Sequence, residues 1–318
     1  MPAKQRLPIS LFAVKADVAT LAGMTTLLQL LLLVLAAGVS APWQSSFETP
    51  DLKVYKTVDD VKLTAHVFRT SQGNSGDRQP AIVLFHGGGW GAGSPDWVYD
   101  TAKRYASFGA VAVAAEYRLS DQEKITPLDA MADARDIVRW MRRNSAELNI
   151  DPDRIAAYGV SAGGQLAASL ATIDDDLANP ISAVPNAMVF ISPAVSVEQD
   201  GWFQRLLGNR ALAENLSPSE HITKRIAPTI IFHGIADTLV PIAGVIRFCD
   251  RAKQFGGECE LHAYPGVGHL FTRKLDNQED SFDPDPKVVA DARTKGDQFL
   301  FKHGFLPMYR ELPDPTTK

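Results

Sequence analysis

Residues 154–171 constrain this chain more than any other stretch. Arg154-Ile155-Ala156-Ala157-Tyr158 is a short apolar run of strand length, Gln165 to Ala171 is rich in helix formers, and only six residues, Gly159-Val160-Ser161-Ala162-Gly163-Gly164, lie between them. So tight a passage from strand to helix holds the residue at its apex in a strained backbone conformation. The flanking positions must be small for strand and helix to approach, which the glycines at 159 and 163 satisfy. Gly-x-Ser-x-Gly in this setting has the form of a nucleophile elbow. The Ser161 hydroxyl is left exposed, and the helix that follows aims its free N–H groups and positive dipole end at the place where an oxyanion would form. The five-residue pattern alone also occurs in plain glycine-rich turns; the strand and helix around it favour the nucleophile.

A second glycine-rich stretch follows another strand. Ala81-Ile82-Val83-Leu84-Phe85 is apolar without alternation, as expected of a strand covered on both faces in a parallel sheet, and it runs into His86-Gly87-Gly88-Gly89-Trp90. Successive glycines leave the backbone bare, so N–H groups can approach a ligand atom. A phosphate cradle or a merely flexible loop is the other reading, but neither G-x-G-x-x-G nor G-x-x-x-x-G-K-[ST] is present. The two stretches together resemble the oxyanion loop and elbow of the α/β-hydrolase esterases and lipases, and Glu116-Tyr117-Arg118 is similar to a Tyr-Arg pair at the same strand end in their hormone-sensitive-lipase-like branch. The resemblance implies that Gly88, Gly89 and Ala162 supply oxyanion N–H groups, with His86, Gly87, Gly159 and Gly163 in support. It also implies the chain order Ser, then Asp or Glu, then His. His233-Gly234-Ile235-Ala236-Asp237-Thr238-Leu239-Val240-Pro241 resembles the family's Gly-x-x-Asp-x-x-Val-Pro tract and puts Asp237 just past a strand end, whereas Asp250 lies mid-helix. His269, in the context Gly266-Val267-Gly268-His269 after the last apolar strand, matches the family's base, with His233 as its main rival. No cofactor and no metal is implied.

The remaining elements spell an α/β fold. Val54–Val58 and Val61–Phe68 alternate around Asp59-Asp60 and predict a hairpin. Strands then alternate with helices: Val111–Ala115, Ala187–Ile191, Thr229–Phe232 and Cys259–Tyr264 are apolar runs, with helices around Val98–Phe108 and Val288–His303. The helix carrying Leu128, Met131, Ala134, Val138 and Met141 is expected to show Asp133, Arg135, Asp136 and Arg139 to solvent, and Glu116-Tyr117-Arg118 to give structural support. The predicted architecture is a mostly parallel sheet with helices on both faces and catalytic residues on loops at strand ends. The hydrolase domain is expected over 53–306, with a short cap at about 194–227 whose Trp202, Phe203, Leu206 and Leu207 line the pocket or form the cap's own core. Asp174-Asp175-Asp176 is expected to be a solvated loop, and 307–318 a loose tail.

Lys4, Arg6 and Lys15 precede an apolar run, Leu27 to Ala37, and then Val39-Ser40-Ala41, so residues 1–41 read as a signal peptide or an uncleaved N-terminal anchor, with 42–52 as linker. A secreted or periplasmic protein follows from cleavage, and contact with a membrane only if the segment stays. Cys249 and Cys259 are the only cysteines and either form a disulfide or stay as buried thiols. The net charge of -5, with no Lys/Arg-rich block, excludes a nucleic-acid partner. The resemblance implies a serine ester hydrolase acting through an acyl-enzyme on short-chain esters, and the glycine loop followed by Trp90, the short cap and the expected export resemble the carbohydrate-esterase branch, with acetyl or feruloyl groups on polysaccharide as candidates. A serine peptidase of the same fold and a non-catalytic binding protein are the alternatives.

Overall fold

A computed structural model of the chain describes residues 49–70, 77–121, 124–173, 179–279 and 281–309. The expected leader at 1–41, most of the linker, Asp174-Asp175-Asp176 and residues 310–318 lie outside the described residues.

Strands β1 (Asp51–Val58) and β2 (Val61–Phe68) form the predicted hairpin. Val58 pairs with Val61, and Asp59 and Asp60 between them take φ of 45° and 68°. Left-handed conformation at both central residues is what a two-residue hairpin turn requires, and Asp is among the few side chains that tolerate it. β1 begins at Asp51, inside the expected linker, because Asp51 and Leu52 still pair with Val67 and His66.

The other strands are β3 (Gln79–Phe85), β4 (Val111–Ala115), β5 (Ile150–Val160), β6 (Ala187–Ile191), β7 (Thr229–Gly234) and β8 (Cys259–Tyr264). All eight form one sheet in the order β1-β2-β4-β3-β5-β6-β7-β8, antiparallel as far as the β2–β4 pair and parallel beyond it. The unbroken apolar runs are explained by helices on both faces. Ala81, Val83 and Phe85 pack into one cluster with α2 (Pro127–Arg143), α4 (Ala162–Thr172) and α6 (Ile242–Gln254). Ile82 and Leu84 pack into another with α1 (Tyr99–Ser107) and α7 (Pro286–Lys302). A single turn, α3 (Ser145–Leu148), precedes β5, and α5 (Gly201–Leu207) forms the cap helix with Asp200 accepting from the N–H groups of Trp202 and Phe203.

The charged face of α2 is not the solvated surface expected. Asp133 is fully buried and accepts from Arg118 Nε at 2.8 Å, Arg118 Nη2 at 2.9 Å, the Arg118 N–H at 3.0 Å and Lys56 Nζ at 2.6 Å. Arg139 is buried as well, its Nε donating to Ile181 O at 3.1 Å. Asp133 is covered from two sides, by Lys56 of the hairpin and by Arg118 just past β4, on a face that periodicity alone assigns to water. Loss of one partner from so buried a set leaves the other charge uncompensated, at a cost of about 3–5 kcal/mol. Glu116-Tyr117-Arg118 is structural, as expected, with Glu116 Oε2 accepting from Thr64 N at 2.8 Å.

Cys249 of α6 and Cys259 of β8 form a disulfide, their Cα atoms 5.3 Å apart. Residues 307–309, expected to be loose, are docked. Met308 N donates to Phe108 O at 2.8 Å, and the Tyr309 ring meets Phe108 edge-on at 5.2 Å.

Candidate active site

Strand register brings the functional loops to one edge. Phe85 pairs with Gly159, Val160 with Ile191, Ile191 with Phe232 and Gly234 with Tyr264, so the segments after β3, β5, β6, β7 and β8 all leave the sheet on the same side.

Ser161 sits between β5 and α4 at φ 52°, ψ -117°, a conformation rarely open to a residue with a side chain. Its surroundings impose it. The Ser161 N–H donates to Ile191 O at 2.9 Å, and its C=O accepts from Gly164 N at 2.9 Å and Ala194 N at 3.1 Å. A Cβ on Gly159 would lie 2.5 Å from Gly163 O, one on Gly163 2.3 Å from the carbonyl oxygens of both Phe85 and His86, and one on Gly164 2.5 Å from Pro193 Cβ. Elbow, oxyanion loop and the end of β6 therefore meet with no room for a methyl group. Gly87 lies directly against the serine, its hypothetical Cβ 3.3 Å from Ser161 Cβ.

His269 and Asp237 complete a relay. His269 Nε2 is 3.0 Å from Ser161 Oγ and Nδ1 is 2.8 Å from Asp237 Oδ2. Asp237 can only accept in its ionised form, which assigns the imidazole proton to Nδ1 and turns the Nε2 lone pair toward the serine hydroxyl. The other carboxylate oxygen accepts from the N–H groups of Leu239 at 3.0 Å and Val240 at 2.8 Å, so Asp237 is fixed before the histidine reaches it. Both side chains are buried, while Ser161 keeps partial exposure. His233, the rival base, donates from Nε2 to Val240 O at 2.8 Å and holds the acid loop; burial keeps its ring below the ordinary histidine range.

The glycine loop is held open. Gly88 and Gly89 take φ of 115° and 58°, and the Gly88 carbonyl accepts from Gly91 N and Ala92 N at 3.2 and 3.0 Å. Among the described residues the N–H groups of Gly88, Gly89 and Ala162 donate to no protein acceptor, which leaves them for a ligand oxygen. His86 packs beneath, its Nδ1 donating to Gly87 O at 2.6 Å and its ring stacked on Tyr117 at 4.3 Å; burial holds it below the ordinary histidine range. The cap reaches this loop from above. Trp202 Nε1 donates to Gly89 O at 2.8 Å, and Trp90 Nε1 donates to buried Gln165, whose amide donates in turn to Leu216 O at 3.1 Å. The cap aromatics thus divide, Phe203 packing edge-on against Trp90 inside and Trp202 standing 38% exposed at the mouth.

Sequence reasoning missed several supporting groups. Ser192, at φ 45°, accepts from Leu270 N through Oγ at 3.1 Å, and Gln278 bonds to the backbone of His269. Neither stands in a motif, and a lone Ser or Gln carries no signal until its partners are placed. Among the described residues no group of three or more His, Cys, Asp or Glu side chains is placed to hold a metal ion.

Comparison with known proteins agrees with this geometry. A family model described as alpha/beta hydrolase fold matches residues 82–215, and the solved structure of esterase 2 from Thermogutta terrifontis with propionate bound covers 84% of this chain and 98% of its own, at 34% identity and a TM-score of 0.72. The chain belongs to the α/β-hydrolase family. The same esterase phosphonylated by sarin gives a TM-score of 0.73 at 33% identity over 83% of this chain and 98% of its own. Among curated relatives, the carboxylesterase NlhH of Mycobacterium tuberculosis is 38% identical over 107 residues, 33% of this chain and 32% of its own, so this α/β-hydrolase matches about a third of that relative's length. Ethyl acetate hydrolase of Pseudomonas putida is 28% identical over 246 residues, 68% of this chain and 74% of its own. The matched span 82–215 holds the glycine loop and Ser161 but ends before Asp237 and His269, which the fold brings in from later in the chain.

The crowding at the elbow makes a stability prediction. Gly163→Ala, with a methyl group 2.3 Å from two backbone oxygens, is expected to destabilise by about 1–3 kcal/mol or more. Gly201→Ala, whose methyl meets only the end of Arg205 at 3.7 Å, should stay near wild type. Urea midpoints decide it, and equal midpoints for Gly163→Ala and wild type would contradict the close approach.

Proposed function

We propose that this α/β-hydrolase is a serine carboxylic ester hydrolase that works through an acyl-enzyme. The observation that carries the reading is the unbroken relay, Ser161 Oγ to His269 Nε2 at 3.0 Å and His269 Nδ1 to Asp237 Oδ2 at 2.8 Å, set on a strained elbow beside bare N–H groups. Ser161 attacks the ester carbonyl while His269 takes its proton, and His269 then delivers that proton to the leaving alcohol. Asp237 fixes the tautomer and stabilises the imidazolium that forms. The N–H groups of Gly88, Gly89 and Ala162 receive the charge on the carbonyl oxygen in both tetrahedral intermediates. Water, activated by the same imidazole, releases the acid.

Short acyl groups are the substrate class we favour. Support comes from esterase 2 of Thermogutta terrifontis, solved with propionate and with butyrate bound, and from the likeness to ethyl acetate hydrolase. Acetyl groups on carbohydrate are a narrower possibility within that class, and Trp97 and Trp202, exposed near His86 and Gly89, offer flat apolar faces to a sugar ring. Nothing at the site favours a peptide substrate, and a relay this complete is superfluous in a pure binding protein.

Ser161→Ala and His269→Ala are each expected to lower kcat/KM for p-nitrophenyl acetate by on the order of 10⁴-fold or more, with the double variant little worse than either. Asp237→Asn should keep the fold and lose on the order of 10⁴-fold through the wrong tautomer. Wild-type turnover in Ser161→Ala across a panel of p-nitrophenyl esters, acetylated xylan and methyl ferulate would rule the reading out.

We also infer export with removal of residues 1–41, supported by the charged start, the apolar run before Val39-Ser40-Ala41, and the disulfide. N-terminal sequencing of native protein should begin at Pro42; a cytoplasmic chain beginning at Met1 would contradict export.

A further inference from the structure

Residues 272–279 and 281–285 lie in a connection that no motif marks. It is closed at its base. Thr272 bridges Pro284, Asp285 N donates to Phe271 O at 2.9 Å, and the Arg273 guanidinium grips the Asp283 carboxylate at 2.7 and 3.1 Å. Residues 273–277 and 279 face outward; Gln278 between them points inward and is 3% exposed.

That one amide touches both catalytic loops. Gln278 Oε1 accepts from His269 N at 2.8 Å and from Thr238 N at 3.2 Å, and Gln278 Nε2 donates to Ala236 O at 2.8 Å. Ala236 and Thr238 are the two chain neighbours of Asp237, so the main chain on either side of the acid and the main chain of the base hang on the same side chain. The amide also explains Gly268. A Cβ there would lie 2.3 Å from Gln278 Oε1 and 2.4 Å from Cδ.

We propose that Gln278 is a positioning residue that locks the Asp237 loop to the His269 loop and so sets the carboxylate–imidazole contact used in acyl transfer. The inference rests on the ester-hydrolase reading above. The two loops leave different strands, β7 and β8, and a misplacement of about 1 Å between such groups costs on the order of 10²-fold in rate. The chemistry calls for an amide. A carboxylate has no hydrogen to give Ala236 O, and an apolar side chain takes their partner from the N–H groups of Thr238 and His269 and from the Ala236 carbonyl, the His269 N–H in a buried position. Gln278 makes no contact with Ser161, so its work appears in turnover rather than in substrate binding.

The test measures kcat and KM with p-nitrophenyl acetate, with sites counted by exhaustive fluorophosphonate labelling of Ser161 so that only folded enzyme is scored. Wild-type hydrolysis abolished by Ser161→Ala establishes the underlying reading independently of Gln278. Gln278→Met is then expected to lower kcat per labelled site by about 10-fold to 10²-fold with KM within about twofold. Gly268→Ala, whose methyl meets the amide, should lower kcat similarly in the wild-type background and less in Gln278→Ala, where the amide it meets is gone. Unchanged kcat per site in Gln278→Met, or a Gly268→Ala penalty of equal size in both backgrounds, would overturn the proposal.

Discussion

The close approach of two backbones carries the site. Gly163 lets the first turn of α4 lie against the carbonyl oxygens of Phe85 and His86, at a separation where a Cβ would sit 2.3 Å from both. This contact fixes where the strand-to-helix turn ends and therefore holds Ser161 at φ 52°. It also fixes where the glycine loop begins, since His86 is the first residue after β3. Ser161 and the start of the glycine loop are thus placed by one steric fact, and pairing of Phe85 with Gly159 in the sheet aligns the two strand ends that make it possible. Strain at a functional residue persists only where the surroundings over-determine it, and the hydrogen bonds on both sides of the Ser161 peptide do so here.

From that contact the site is assembled in layers. Asp237 is held by its own loop through the N–H groups of Leu239 and Val240, and His269 bridges Asp237 and Ser161. Around these lie groups that never meet the serine: Ser192 on Leu270, Trp202 on Gly89, and the Trp90–Gln165–Leu216 chain from loop to cap. The segment carrying Trp202 and Leu216 is therefore a brace for the glycine loop. Preorganised dipoles of this kind are effective because they need no rearrangement when charge develops.

Much of this was legible in the sequence because the constraints that matter are local. A continuous apolar strand followed by bare glycines, or by a serine between glycines, can be read without knowing what lies across the sheet, and so can Asp59-Asp60 as a hairpin turn. Asp237 and His269 needed more: each depends on strand-end position and on likeness to a family tract. What stayed hidden depends on partners far away in the chain. Asp133 looked solvated because periodicity does not know that Lys56 and Arg118 will cover it. Gln278 sits in a polar, unpatterned stretch, and only the folded chain brings it to Ala236, Thr238 and His269.

The central claim is that Ser161 takes up the acyl group with His269 as its base, and covalent trapping tests it most directly. Enzyme mixed with p-nitrophenyl acetate and quenched in acid within the first turnovers should carry one acetyl group, on the peptide bearing Ser161, with a matching burst of p-nitrophenol. Acetylation of some other residue, or steady hydrolysis with no acylated peptide at any quench time, would contradict the account.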